Sequence, residues 1–153
     1  MAGPATQGLN AWQLLASYNL APEVWLIRER SGAGQANSSL ISAEVMFWVE
    51  AAGVAQPAGT IVDHPQVNGV TYELWQQDGA AGSGSGPTWR LLSLKTATTQ
   101  RAGIIPIADL LRYLVKKGLV SADHYVASVE FGNEISGGRG TTWVKKFAVH
   151  VNP

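Results

Sequence analysis

The chain has 153 residues, of which 46% are hydrophobic and 14% charged, with Lys+Arg and Asp+Glu both at 11. That length predicts a single domain over residues 1–153, and the hydrophobic share is enough for a real core. A formal net charge of zero argues against nucleic acid or an anionic membrane as the main partner, since both are held largely by cationic excess.

Cysteine is absent, which excludes disulfides, thiolate metal sites and a cysteine nucleophile. The N-terminus shows no basic segment followed by an apolar run, so no signal peptide is visible in it. No apolar stretch approaches the ~20 residues that a membrane-spanning helix needs.

In chain order, runs rich in β-branched and aromatic residues alternate with Gly, Pro, Asn and Ser clusters. This pattern predicts strands near Glu23–Glu29, Leu40–Glu50, Gly59–Asp63, Gly69–Gln77, Thr88–Thr96, His124–Glu134 and Thr141–Val151. Gly32–Ser39 and Gly79–Gly86 read as polar loops, and Asn68-Gly69 as a hairpin turn. Gly137–Gly140 also reads as a hairpin. Its glycines resemble a phosphate loop only superficially, because the Lys-Ser/Thr pair is missing.

One helix interrupts the strands. Ile107, Leu110, Leu111, Leu114 and Val115 form a single stripe at helical spacing. Pro106 marks its start, and Lys116, Lys117 and Gly118 mark its end. One amphipathic helix among many strands predicts a mostly-β fold, a β-sandwich or jelly roll with the helix on its outside.

Two segments carry unusual faces. In Ala43–Val49, period-two alternation puts Glu44, Met46 and Trp48 on one side and Val45, Phe47 and Val49 on the other. The second face is ordinary core. The first sets a carboxylate beside a large aromatic, and an unpaired buried carboxylate costs several kcal/mol or shifts its pKa. In Tyr125–Glu134, Ser128, Glu130, Gly132 and Glu134 share a face, with Val126 on the same side. As a bare pattern this second face also fits a solvent-facing strand whose glutamates only solubilise. Six tryptophans add flat amphipathic surfaces suited either to core packing or to sugar rings.

The three histidines, His64, His124 and His150, are widely spaced, so no metal is expected, and nothing in the sequence calls for a cofactor. Asn37-Ser38-Ser39 is a formal glycosylation sequon, and Lys145-Lys146 reads as a solvated edge.

Glu44-Val45-Met46-Phe47-Trp48 resembles the nucleophile strand of glycoside hydrolase family 12. Ala127–Glu134, followed by Ser136-Gly137-Gly138, resembles that family's acid/base strand. Tyr72–Trp75 and the helix fall between them in the family's order, and the likeness covers roughly residues 20 to 152. It implies a concanavalin-like jelly roll and retaining, endo-acting hydrolysis of β-1,4-glucans such as cellulose, mixed-linkage glucan or xyloglucan.

By that resemblance Glu44 is the nucleophile and Glu134 the acid/base. Glu23, in Asn19–Trp25, takes the slot of an aspartate that hydrogen-bonds to the nucleophile. Trp48 and Met46 line the substrate groove. Glu130, on the cleft face and counted with them as substrate-binding, stands where the family more often has Gln, and a third carboxylate there raises its neighbours' pKa values. The resemblance also implies secretion, a β-glucan polysaccharide as the partner, and an N-terminal part shorter than the family's. The sequence specifies no oligomeric state. A non-catalytic carbohydrate-binding jelly roll and an inactive truncated relative are the alternative readings.

Overall fold

A computed structural model describes residues 16–30, 37–53, 55–81 and 88–151. The strands are β1 (Ser17–Ile27), β2 (Ile41–Trp48), β3 (Glu50–Ala52), β4 (Thr60–Asp63), β5 (Gln66–Val67), β6 (Val70–Ala81), β7 (Thr88–Thr96), β8 (Tyr125–Gly132) and β9 (Ile135–Gly137). The helix α1 spans Ile107–Lys116, and a short 3-10 turn covers Ser38–Leu40.

The nine strands form one mixed sheet. β1 is its organiser: β2 and then β3 line one of its edges, while β8 and then β9 line the other. Beyond β2 come β7, β6 and β4. Every pairing is antiparallel except β2 with β7, which run parallel with Glu44 opposite Leu91 and Met46 opposite Ser93. Among the described residues the expected mostly-β fold therefore appears as one sheet with one helix against it.

Alternation splits the sheet into two faces. Val24, Leu26, Ala43, Val45, Phe47, Tyr72, Leu74, Leu92 and Leu94 are buried together with Leu110 and Leu114 of α1. All five residues of the predicted helical stripe join this cluster, so the helix covers the apolar face. Each such aliphatic side chain taken fully from water contributes about 1.5–3 kcal/mol.

The helix ends as its sequence dictates. Gly118 takes φ +70, donating to Val115 O at 2.9 Å while Leu119 donates to Leu114 O at 3.0 Å. These two bonds satisfy carbonyls that the last turn leaves open. A polar pin joins α1 to the sheet at β4: Tyr113 Oη donates to Asp63 Oδ2 at 2.5 Å, and Lys117 Nζ lies 2.6 Å from the same oxygen.

Most expected elements occur, with shifted ends. Asn68-Gly69 makes the two-residue hairpin between β5 and β6, with φ values of 49 and 80, the left-handed pair that such a turn requires. β1 starts six residues before the expected Glu23, and the first residues of the expected Gly79–Gly86 loop belong to β6. The rest of that loop, and most of Gly32–Ser39, lie outside the described residues.

Two expectations fail. Residues 141–151 form no strand, and Gly137–Gly140 is consequently not a hairpin. The apolar pattern there is strand-like, but β-propensity reports fit to a pleated, half-buried surface. Here Trp143 is 87% and Val151 83% exposed, so no such surface receives them. Phe147 stacks on Phe131 of β8 at 5.3 Å.

Candidate active site

The face opposite α1 gathers the polar residues. From β1 it takes Asn19, Ala21, Glu23 and Trp25. Register sets Glu23 across from Met46 and Trp25 across from Glu44 of β2. On the other side of β1, Glu23 meets Glu130 and Trp25 meets Ser128 of β8. Three strands thus place Glu23, Glu44 and Glu130 on one surface, because in-register antiparallel neighbours share a face.

Glu134 arrives differently. The expected strand His124–Glu134 stops at Gly132, and Glu134 lies in the two-residue gap before β9. Asn19 holds it there. The Asn19 amide Nδ2 donates to Glu134 Oε2 at 2.5 Å, the Glu134 N–H donates to Asn19 Oδ1 at 3.3 Å, and the Asn19 N–H donates to Glu134 O at 3.1 Å. A register shift between Trp25 and Leu26 puts Val126 opposite Leu26 of the core face, so it departs from the row of glutamates it was expected to join.

The electrostatics follow from this crowding. Burial, then the charges of Glu44, Glu134 and Glu130, push the Glu23 carboxyl up to about 7. Burial likewise raises Glu44. The indole N–H of Trp89, which donates to Glu44 Oε2 at 2.9 Å, works against that rise, and the charges of Glu134 and Glu130 add to it. Like charges close together disfavour joint ionisation, the condition that lets one carboxyl carry a proton while another stays ionised. Glu130 is exposed and accepts a hydrogen bond from Ser128 Oγ at 2.8 Å.

The hydrogen bond to Glu44 thus comes from Trp89. Among the described residues Glu23 makes no hydrogen bond with Glu44; the charge of Glu44 instead raises the Glu23 carboxyl. Met46 and Trp48 are 2% and 5% exposed and pack with Ala21, against which Ala51, Ala55 and Leu91 also lie. Both line a cavity of ≈ 290 Å³ whose polar rim includes Asn19, Gln56, Glu134 and Ser136. The described residues contain no group of His, Asp and Glu arranged to hold a metal ion.

Sequence reasoning passed over Asn19 and Trp89. Asn19 belongs to β1, whose first residues lack the apolar run that marks a strand. Alternation along Thr88–Thr96 does set Trp89, Leu91, Ser93 and Lys95 on one side. Only the parallel pairing with β2 reveals that this side is the glutamates' side.

Comparisons with known proteins bear on the family and the fold. The sequence model of glycosyl hydrolase family 12 matches residues 12–152. Endoglucanase S of Pectobacterium parmentieri is 27% identical over 137 residues, covering 88% of this chain and 49% of its own. A family 12 xyloglucanase from Bacillus licheniformis, solved with a ligand, superposes with a TM-score of 0.69 at 27% identity, covering 80% of this chain and 52% of its own. A native cellulase, an endo-1,4-beta-glucanase, gives 0.65 at 28% identity, covering 82% and 51%. The chain spans about half the length of these relatives. A family match over nearly the whole chain, together with the jelly-roll fold of those relatives, places this chain in glycosyl hydrolase family 12.

Proposed function

We propose that this chain hydrolyses internal β-1,4-glucosidic bonds of a glucan polysaccharide, with retention of anomeric configuration. Cellulose, mixed-linkage glucan and xyloglucan are the candidate substrates, and such polymers place its work outside the cell. The observation that supports this reading is that Glu44 on β2 and Glu134, held by Asn19 of β1, flank the same strand, and the Glu134 charge is among the causes that raise the Glu44 carboxyl. The names of the relatives, an endoglucanase and a xyloglucanase, support the substrate class.

The chemistry follows from the two roles. The ionised Glu44 attacks the anomeric carbon while Glu134 gives its proton to the departing glycosidic oxygen, so the C–O bond breaks as the ester bond to Glu44 forms. Glu134, now ionised, then takes a proton from water, which displaces Glu44 from the same carbon. Retaining enzymes hold the two carboxyl groups about 5–5.5 Å apart for this sequence. Asn19 fixes the acid/base from one side, Trp89 fixes the nucleophile from another, and Glu23 supplies a protonated neighbour near neutral pH.

The test is release of reducing ends from soluble β-glucan, with the anomeric form of the first product read by NMR. Activity lost in both Glu44→Ala and Glu134→Ala, with a β-anomer formed first, is the expected result. Glucan binding without turnover by the unmodified chain would overturn the reading.

A further inference from the structure

Glu44 sits beneath two indoles. Trp25 lies across from it on β1, and Trp89 reaches it from β7, two residues before its register partner Leu91. The two rings meet edge to face, with centroids 5.4 Å apart and planes at 70°. Such pairs contribute beyond their buried area and lock both rings in place. The Trp89 ring is thereby braced, and its N–H aims at a single oxygen, Glu44 Oε2, at 2.9 Å.

We infer that Trp89 is the positioning residue of Glu44, and that the Trp25–Trp89 pair is the brace that holds it. This rests on Glu44 acting as the nucleophile. An indole N–H is a donor only and cannot take up a proton at working pH. It binds the ionised carboxylate in preference to the neutral acid, and it occupies Oε2 so that Oε1 is the oxygen left to form the bond to the anomeric carbon. The donor sits near the start of β7, paired with Ala80 of β6, on a strand that β2 and β6 flank. Preorganised donors of this kind act without reorganisation at the moment of reaction.

The probe is a 2-deoxy-2-fluoro-cellobioside with a dinitrophenolate leaving group. It departs without help from an acid, so the rate at which it labels the protein reads Glu44 alone. Trp89→Phe keeps the ring and removes the N–H. Labelling of Glu44, located by peptide mass spectrometry, is expected to slow by about ten- to a hundredfold, the loss expected for one hydrogen bond to a charged group. The acidic limb of the labelling rate is expected to move to higher pH, because the bond that favours the ionised form is gone.

Trp89→His, which offers a ring N–H again, restores part of both effects, and thermal melts confirm that each variant folds. Should Trp89→Phe fail to fold, Trp25→Phe takes its place: it loosens the brace, and slower labelling with retained folding is expected. Wild-type labelling rate and pH limb in Trp89→Phe, or in a folded Trp25→Phe used instead, overturn the inference. Labelling that survives in Glu44→Gln, or lands on another residue, instead overturns Glu44 as the nucleophile.

Discussion

Glu130 stands directly across the β1–β8 pair from Glu23, on the same face of the sheet. Its charge is among the causes that raise both Glu23 and Glu44. Glu130→Gln removes that charge while keeping the shape, so both carboxyls ionise at lower pH. The acidic limb of kcat/KM is expected to move to lower pH, with the maximal rate staying within about tenfold because positioning is untouched. A pH–rate profile of the two proteins on soluble glucan checks this, and coincident profiles would count against it.

The raised Glu23 also governs stability. Its folded pKa lies above its unfolded one, so between about 4.5 and 7 the folded chain holds a proton that the unfolded chain has released. Stability therefore falls as pH rises through that window, and the fall is complete above about 7. Because Glu23 is only half-buried, solvent screening discounts the effect to about 1 kcal/mol or less. Urea unfolding at pH 5 and pH 8 is expected to show lower stability at pH 8 for the wild type, and a smaller difference for Glu23→Gln.

Asp63 acts in the opposite sense. Lys117, Tyr113 and the His64 N–H hold its carboxyl well below the usual carboxylate range. The stability it contributes is present above the unfolded value near 4 and is lost as pH falls below it. Asp63→Asn is expected to weaken the acid-side decline, measured as the melting temperature between pH 2.5 and 5.

Asn19 is 2% exposed and meets Glu134 with side chain and backbone alike. Asn19→Ala leaves the backbone bond, removes both side-chain bonds and frees the carboxylate. A loss of about ten- to a hundredfold in kcat is expected, with little change in KM, since misplacing a reacting group costs rate more than binding. The stability cost is expected at about 1–3 kcal/mol. Steady-state kinetics and urea denaturation separate the two effects.

Leu114 of α1 is fully buried against the opposite face of the sheet. Leu114→Ala is expected to cost about 2–5 kcal/mol, the usual price of a cavity in a packed core. With the chain still folded, kcat should stay near wild type, because the glutamates face away from the helix. Chemical denaturation followed by an assay below the new midpoint tests both halves.

The sequence was most readable where a local period was strong. The helical stripe, the Asn68-Gly69 turn and the Thr88–Thr96 strand each carry their own signal, and each occurs as expected. Glu44 and Glu130 were visible as breaks in alternation on strands. Glu134 was read on the same alternating face as Glu130, but it lies beyond the end of β8, where its place depends on Asn19, a residue that no local pattern links to it. Trp89 stayed hidden because the parallel partner of β2 cannot be read from periodicity. Residues 141–151 misled for the converse reason: their alternation is genuine, but no described strand accepts it.

The union of β1 with β8 and β9 has a kinetic consequence. Asn19 and Glu134 are separated by 115 positions, so their contact closes a loop of about three-quarters of the 153-residue chain. Such distant pairings are reached slowly, since chain entropy must be surrendered before they are rewarded. The helix and the β5–β6 hairpin can form early from neighbouring residues. A nascent chain still lacking its last segment holds Glu44 without Glu134, so the proposed pair of carboxyls assembles only after the far end of the chain has been made.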